Sequence, residues 1–363
     1  MRKITIPLLI VLSLIIVQCS STKNTTLIST EAPIVENVIL LIGDGMGVSQ
    51  VYSGITANNG LNLEKSQYVG FSKTYSASSY ITDSAAGGTA IATGTKTNNG
   101  AIGVDAKGND VKSILEYAAE NGKSTGVVAS CAITHATPAS FVAHQPNRNM
   151  QEEIAVDFVN SDITLFIGGG KKYFADRSDK VDLFKQLKDK GFKVAFDMND
   201  VKQTTSGKLA ALIADEHPAT YPERGEFLPE SVQTALDILD NNSKGFFLIV
   251  EGSQIDWESH DNNAEGVVNE MIDFDRTIKV AFDYADKNPG TLVVITADHE
   301  TGGMALTGGS FETGEVKAAW GSTGHTSVMV PVFSYGTGAE KFAGIYENID
   351  IYNKIMSLYG FKK

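Results

Sequence analysis

Acidic and histidine side chains follow the apolar runs of this sequence at three separate places. They are Asp44 after residues 38–42; Glu251, Asp256 and His260 after residues 246–250; and Asp298 and His299 after residues 291–295. Short β-branched runs of this kind predict buried strands. A single carboxylate at a strand end is usually a turn or cap residue. Three such ends, with the isolated His325 further on, predict a site that binds more than one metal ion.

Residue type and spacing divide these side chains into three ligand sets. The sets are Asp44, Asp298 and His299; Asp256, His260 and His325; and Asp44, Thr137 and Glu251. Asp256 and His260 are four residues apart, so on a helix they lie on one side and could share a cation. The second set, Asp256, His260 and His325, leaves an open position for water or substrate and so suits catalytic zinc, and the first set has the same character. The oxygen ligands of the third set suit a harder ion such as magnesium.

The candidate nucleophile is Ser84, which is followed by a run of small residues up to Gly94. This run predicts a tightly packed helix that begins at Ser84, where the helix dipole favours an anion. The alternative is a serine that only caps the helix. A nearby zinc ion would stabilise the serine alkoxide without a histidine base. Arg148 is the candidate phosphate clamp, since a guanidinium holds two phosphate oxygens, and Asp83 is placed to orient the nucleophile.

Composition excludes several classes of partner. The chain has 363 residues, 42% of them hydrophobic, and a formal net charge of -13. It is long enough and apolar enough to form a substantial core. The negative charge repels nucleic acid and anionic lipid surfaces, so neither is expected as a partner.

The first residues resemble an export signal. Arg2 and Lys3 precede an apolar run over residues 4–17, and Cys19 follows it. This pattern predicts a signal over residues 1–19 with a lipoprotein-type Cys19, although Gln18 is not the usual small residue before such a cysteine. Simple secretion and a retained signal anchor are the alternatives. The Ser-, Thr- and Asn-rich residues 20–33 predict a flexible tether, and a periplasmic or cell-surface location follows.

The remaining residues, 34–363, are predicted to form a single catalytic domain. Further strands are expected at residues 124–129, 163–167, 193–196 and 328–333. Helices are expected from Val111 to Gly122, near residues 183–191 and 232–239, and over residues 265–285. Alternating strands and helices predict a three-layer α/β/α sandwich with a mostly parallel central sheet.

Five segments of the chain resemble those of alkaline phosphatases, in the same order. They are LIGDGMG at 41–47, TDSAA at 82–86, VEGSQID at 250–256 with His260, TADHET at 296–301, and Gly324 with His325. The resemblance covers nearly all of the chain after the signal. It implies the fold of that family and a homodimer that hydrolyses a broad range of phosphate monoesters through a phosphoserine, with two zinc ions and one magnesium ion per subunit.

The same resemblance implies a role for each candidate residue. Ser84 matches the nucleophile and Arg148 the phosphate binder. The Asp256 set matches the zinc that activates water, the Asp298 set matches the zinc that activates the serine, and the Glu251 set matches the magnesium site. His135 and Trp257 stand where the best-known bacterial pattern has Asp and Lys. A neutral imidazole beside the third ion leaves the identity of that metal open.

Two other classes of function remain as alternatives. A related metal-dependent phosphodiesterase would use the same kind of metal platform with a different pocket. A sulfatase is disfavoured because the chain has no suitable Cys or Ser in the Cys/Ser-x-Pro-x-Arg setting. A non-catalytic, metal-binding surface protein is the other alternative. Structural zinc sites usually have four ligands and prefer Cys, which these sets lack.

Overall fold

Ten strands form one sheet in the computed structural model, which describes Met1 and residues 35–362. The predicted export signal with Cys19 and the predicted tether lie outside the described residues, Met1 apart. The described residues form fourteen strands in all, and β10 with β11 and β9 with β12 make two small separate sheets. The strands are β1 (Asn37–Gly43), β2 (Tyr68–Lys73), β3 (Ser124–Ala132), β4 (Leu165–Gly169), β5 (Phe192–Ala195), β6 (Lys208–Leu212), β7 (Phe246–Gly252), β8 (Thr291–Thr296), β9 (Glu300–Thr301), β10 (Met304–Ser310), β11 (Glu315–Trp320), β12 (His325–Thr326), β13 (Val330–Gly336) and β14 (Gly344–Glu347).

The helices connect these strands. They are α1 (Val48–Asn58), α2 (Ser84–Thr93), α3 (Ile114–Glu120), α4 (Ala136–Ala139), α5 (Gln151–Asn160), α6 (Lys172–Ala175), α7 (Leu183–Asp189), α8 (Met198–Lys202), α9 (Phe227–Leu239), α10 (Gln254–His260), α11 (Ala264–Lys287) and α12 (Ile349–Tyr359). None of these helices, within the described residues, is both long and apolar enough to cross a membrane.

The strand order of the large sheet is β14-β2-β13-β8-β1-β7-β3-β4-β6-β5. Strand β13 runs antiparallel to both of its neighbours, β2 and β8. The other strands of this sheet run in one direction. Strand β1 lies in the middle, parallel to β7 on one side and to β8 on the other. Because parallel strands end at the same edge, the segments after β1, β7 and β8 meet there.

Both faces of the sheet are covered. Along β1, Val38, Leu40 and Ile42 point into one buried cluster, whereas Ile39 and Leu41 point into the other. Helices α2 to α7 and α12 contribute to the first cluster, and α1 and α8 to α11 contribute to the second. This two-sided burial explains the unbroken apolar runs of the central strands. It confirms the predicted three-layer α/β/α sandwich.

Some boundaries differ from those predicted. The helix expected from Val111 begins at Ile114, because the Ser113 hydroxyl accepts a hydrogen bond from the Glu116 N–H at 3.2 Å. The Glu116 carboxylate in turn accepts from the Ser113 N–H at 2.7 Å, which completes a capping box. The strand expected at residues 328–333 is β13, which starts two residues later.

Candidate active site

Three carboxylates lie together at one edge of the sheet. Asp44 follows β1 and Asp298 follows β8, while Glu251 is the penultimate residue of β7. The register places Ile42 opposite both Glu251 and Thr296, so the three carboxylates lie at nearly the same height along the strands. All three are fully buried. Strand pairing therefore concentrates acidic groups where burying them unpaired is costly.

The first predicted set, Asp44, Asp298 and His299, forms a buried cluster. His299 Nε2 lies 3.4 Å from Asp44 Oδ1 and 3.3 Å from Asp298 Oδ2. Both of these carboxylate oxygens are buried without a hydrogen-bond partner among the described residues. Buried polar atoms normally have partners. The three side chains thus offer inward-facing ligand atoms that suit a divalent cation.

The second predicted set, Asp256, His260 and His325, also comes together. Asp256 lies in the first turn of α10 and His260 is its last residue, and His260 Nε2 is 3.4 Å from Asp256 Oδ2. His325 Nε2 is 3.6 Å from Asp256 Oδ1 and 3.1 Å from His260 Nε2. The two rings are held from behind, since Nδ1 of His260 contacts the Thr323 carbonyl at 2.6 Å and Nδ1 of His325 contacts the Thr82 carbonyl at 2.9 Å.

These carbonyl contacts determine which ring nitrogens face the cluster as acceptors. A carbonyl can only accept, so Nδ1 of each ring carries a hydrogen. In the neutral ring Nε2 then has a free lone pair, which is the tautomer that a metal-binding histidine requires. Two such nitrogens and one carboxylate converge on a common point. The set matches an Asp, His, His cation site with an open position.

The oxygen-rich set lies beside the first set. The Thr137 hydroxyl, at the start of α4, donates to Asp44 Oδ2 at 3.3 Å. Glu251 Oε2 accepts from the Ser253 hydroxyl at 2.7 Å and from the Cys131 thiol at 3.2 Å. Its other oxygen, Oε1, is buried with no hydrogen-bond partner among the described residues. The set therefore fits a third cation, and Cys131 is a neighbour that the sequence did not suggest.

Burial dominates the carboxylate pKa values. It raises the pKa of Asp44 well above its usual range, that of Asp298 to about 6 and that of Glu251 to about 7. For Asp44 and Asp298 a neighbouring carboxylate raises the pKa further. Bound divalent cations would oppose these shifts by supplying positive charge. Carboxylates crowded in this way are the expected chemistry of a cation site.

The histidine pKa values are consistent with such a site. Burial lowers the pKa of His299 and of His325 to about 4, so both rings are neutral. His260 is more exposed, and its hydrogen bond to Asp256 raises its pKa to about 9. Without a cation, a proton therefore occupies the nitrogen of His260 that faces Asp256. A bound cation would take the place of that proton.

Ser84 is the first residue of α2, as predicted. Asp83 caps this helix by accepting a hydrogen bond from the Ala86 N–H at 3.0 Å. The Ser84 hydroxyl is therefore not needed as the cap, and it lies 3.2 Å from His299 Nε2. Gly87 permits this approach, because a Cβ there would lie 3.0 Å from the Asp298 Cβ. Small residues in α2 thus bring the hydroxyl against the first cation set.

Arg148 contacts Asp83, the residue that precedes Ser84 in the chain. Its Nη1 donates to Asp83 Oδ2 at 3.2 Å, and its Nη2 lies 3.3 Å from His135 Nε2. The Asp83 carboxylate also accepts from the Gly100 N–H at 2.9 Å. These contacts join Asp83 to the α2 cap and to the guanidinium. Trp257 packs its ring edge-on to His135, with ring centroids 5.9 Å apart.

Sequence reasoning missed Thr301 and His217. The Thr301 hydroxyl donates a hydrogen bond to Asp256 Oδ1 and lies 3.2 Å from His299 Nδ1, so it bridges the two cation sets. Its only signal was its position two residues after His299, which places the two on one face of an extended segment. His217 accepts from the Ala132 N–H at 3.0 Å and packs against Trp257. No local pattern marks it.

The fold and these groups define a class of protein. At the carboxyl ends of its strands, a mostly parallel sheet carries three sets of side chains that could bind cations. A serine hydroxyl at the start of a helix faces one of these sets. These features define an α/β enzyme with candidate metal sites and a candidate hydroxyl nucleophile.

Comparison with known proteins identifies the family. The family model described as alkaline phosphatase matches residues 35–319. Alkaline phosphatase 4 of Bacillus subtilis (strain 168) is 35% identical over 410 residues, covering 89% of this chain and 88% of that protein. The alkaline phosphatase of Escherichia coli (strain K12) is 30% identical, covering 90% and 86%. The solved structure of alkaline phosphatase from the Antarctic bacterium TAB5 matches this chain with a TM-score of 0.86. The two sequences are 41% identical, and the match covers 92% of this chain and 100% of that chain. The chain belongs to the alkaline phosphatase family and is a phosphomonoesterase.

Proposed function

We propose that this chain hydrolyses phosphate monoesters through a phosphoserine at Ser84, within a site for two zinc ions and one magnesium ion. The observation that carries the proposal is the position of the Ser84 hydroxyl, 3.2 Å from His299 Nε2. His299 stacks on His325 with ring centroids 3.5 Å apart, so the two Asp/His sets are contiguous. The buried Ser84 hydroxyl thus lies beside both sets.

The ligand assignment follows the fit of each set. Asp44, Asp298 and His299 would hold one zinc ion; Asp256, His260 and His325 would hold the other; and Asp44, Thr137 and Glu251 would hold magnesium. Bound cations would supply the Lewis acidity that lowers the pKa of an oxygen nucleophile and balances charge on the phosphoryl group. Thr301 would orient His299 and Asp256, and His135 would lie between Arg148 and Trp257.

The proposed reaction has two displacement steps at Ser84. Ser84 Oγ attacks phosphorus, the bond from phosphorus to the ester oxygen breaks, and the alcohol leaves after taking up a proton. Water then attacks the phosphoserine, which releases inorganic phosphate and restores the hydroxyl. The positive end of α2 favours the anionic phosphoryl group beside Ser84. Arg148 holds two of its oxygens, and the contact with Asp83 keeps the guanidinium in place.

Replacing Arg148 with alanine is expected to weaken inhibition by inorganic phosphate by roughly 10- to 100-fold, because hydrogen bonds between charged groups contribute about 1.5–3 kcal/mol. The measurement is the inhibition constant of phosphate with an aryl phosphate as substrate. Arg276→Ala is the matched control, since Arg276 pairs with Glu226 at the surface. If phosphate inhibits the Arg148 variant as well as it inhibits the wild type, the clamp lies elsewhere.

A rate comparison tests the proposal against the phosphodiesterase alternative. The monoester of an aryl alcohol is expected to react far faster than the diester of the same alcohol. A diester lacks one of the charges that Arg148 and the cations would bind, and it carries an extra ester group that the site must accommodate. The measurement is kcat/KM for both esters on one enzyme preparation. A diester rate equal to or above the monoester rate would reverse the assignment.

We also propose that the protein is an exported, lipid-anchored homodimer in the periplasm or at the cell surface with a broad range of phosphate monoesters. The basic start, the apolar run and Cys19 support export and anchoring. Resemblance to the family supports the homodimer and the breadth of substrates.

A further inference from the structure

Glu300 is a buried carboxylate that lies outside the proposed ligand sets. It is 4% exposed and sits between His299 and Thr301 in the chain. Its Oε1 accepts hydrogen bonds from Gln50 Nε2 at 3.1 Å and from the Met304 N–H at 3.0 Å. Its Oε2 accepts from the Gly303 N–H at 3.2 Å and from the Thr326 hydroxyl. Four donors on one buried carboxylate indicate a fixed position.

The contact with Thr326 links Glu300 to the segment that carries His325. Thr326 follows His325 directly, and both belong to β12, which pairs with β9 over only two residue pairs. A two-residue strand pair provides little stability by itself. The hydrogen bond from Thr326 to Glu300 therefore adds a side-chain link where the backbone pairing is short.

The contact with Gln50 links Glu300 to the segment that carries Asp44. Gln50 Nε2 also donates to the Thr301 carbonyl at 2.8 Å, and Gln50 Oε1 accepts from the Gly47 N–H at 3.1 Å. Gly47 lies directly against Glu300, because a Cβ at Gly47 would be 2.4 Å from Glu300 Cγ. The turn after Asp44 is thus both hydrogen-bonded and packed to this side chain.

We propose that Glu300 is a positioning residue that holds the segments of Asp44, His299 and His325 in one relative arrangement. The inference rests on the proposed function, because these three residues belong to the two proposed zinc sets. Losing the carboxylate would leave buried donors unsatisfied and free the segments to separate. Residues that orient metal ligands typically change metal affinity by about 10- to 100-fold when they are mutated.

The test is zinc affinity of the full chain with Glu300 replaced by glutamine. Glu300→Gln keeps the size of the side chain but turns an amide N–H₂ toward donors. Zinc affinity, measured by competition with a chelating indicator, is expected to fall by about 10- to 100-fold. At saturating zinc, kcat is expected to recover toward the wild-type value. Glu315→Gln is the matched control, because Glu315 is exposed and pairs with Lys317. It should bind zinc as the wild type does.

A second variant keeps the inference falsifiable if Glu300→Gln does not fold. Thr326→Val removes only the link to the His325 segment and nearly preserves volume. It is expected to weaken the binding of one of the two zinc ions and to leave the binding of the other unchanged. A purely structural role would lower Tm and leave zinc affinity at ambient temperature unaltered. Wild-type zinc affinity in Thr326→Val, or in a folded Glu300→Gln, overturns the inference. A wild-type chain that binds no zinc would instead overturn the proposed metal sites.

Discussion

Replacing Ser84 with alanine is expected to reduce the turnover of an aryl phosphate by roughly 10⁴- to 10⁶-fold, the scale seen when hydrolases lose a covalent nucleophile or its base. Ser84 is 2% exposed and its hydroxyl faces His299, so water has little room to replace it in the same position. Alanine is well tolerated inside a helix, and Asp83 already provides the cap. The variant should therefore fold and retain zinc.

Three measurements distinguish this outcome from general damage. The steady-state rate, the zinc content and the amount of covalently bound phosphate after acid quenching are compared with those of the wild type. Ser161→Ala is the matched control, because the Ser161 hydroxyl donates to the Phe158 carbonyl at the end of α5. Acid-stable phosphate on the Ser84 variant, or unchanged turnover, would remove Ser84 from its proposed role.

Removing divalent cations with a chelator is expected to abolish activity and to lower Tm. Asp44, Glu251 and Asp298 are fully buried and close together, and without cations burial raises the pKa of each. Each site occupied at roughly a thousand times its Kd adds about 4 kcal/mol to the free energy of unfolding. Readdition of zinc and magnesium should restore both the rate and the Tm.

The metal experiment requires elemental analysis at each stage. Chelated protein is titrated first with zinc and then with magnesium, and rate and Tm are recorded after each addition. Asp256→Asn is an informative companion, since Asp256 belongs to one proposed zinc set and its loss should reduce bound zinc by about one ion. Full activity in protein shown to be free of divalent metal would contradict the proposed site.

The central strands were predictable because their physical environment is simple. β1, β7 and β8 are buried on both faces, so their sequences are continuous apolar runs. The peripheral elements were harder to predict. β2 and β14 lie near one edge of the sheet and are largely exposed, so they lack such runs. The hairpin of β10 and β11 is mostly exposed, and it has no continuous apolar run like those of the central strands.

The candidate site shows the same division. Asp256 and His260 could be paired from sequence because they are four residues apart and α10 is helical. Carboxylates at strand ends could be grouped because parallel strands end at one edge. Thr301 and Cys131 gave no comparable signal, since their partners in the site depend on contacts made by other segments.

The sequence by itself determined which ligand types the chain carries, their local spacing, and the strands and helix that present them. These properties depend on periodicity and on neighbours within a few residues. Only the tertiary structure decided that β7, β1 and β8 are adjacent, that β13 is antiparallel, and that Gln50 meets Glu300, a residue 250 positions away. Such contacts depend on how whole elements pack against one another.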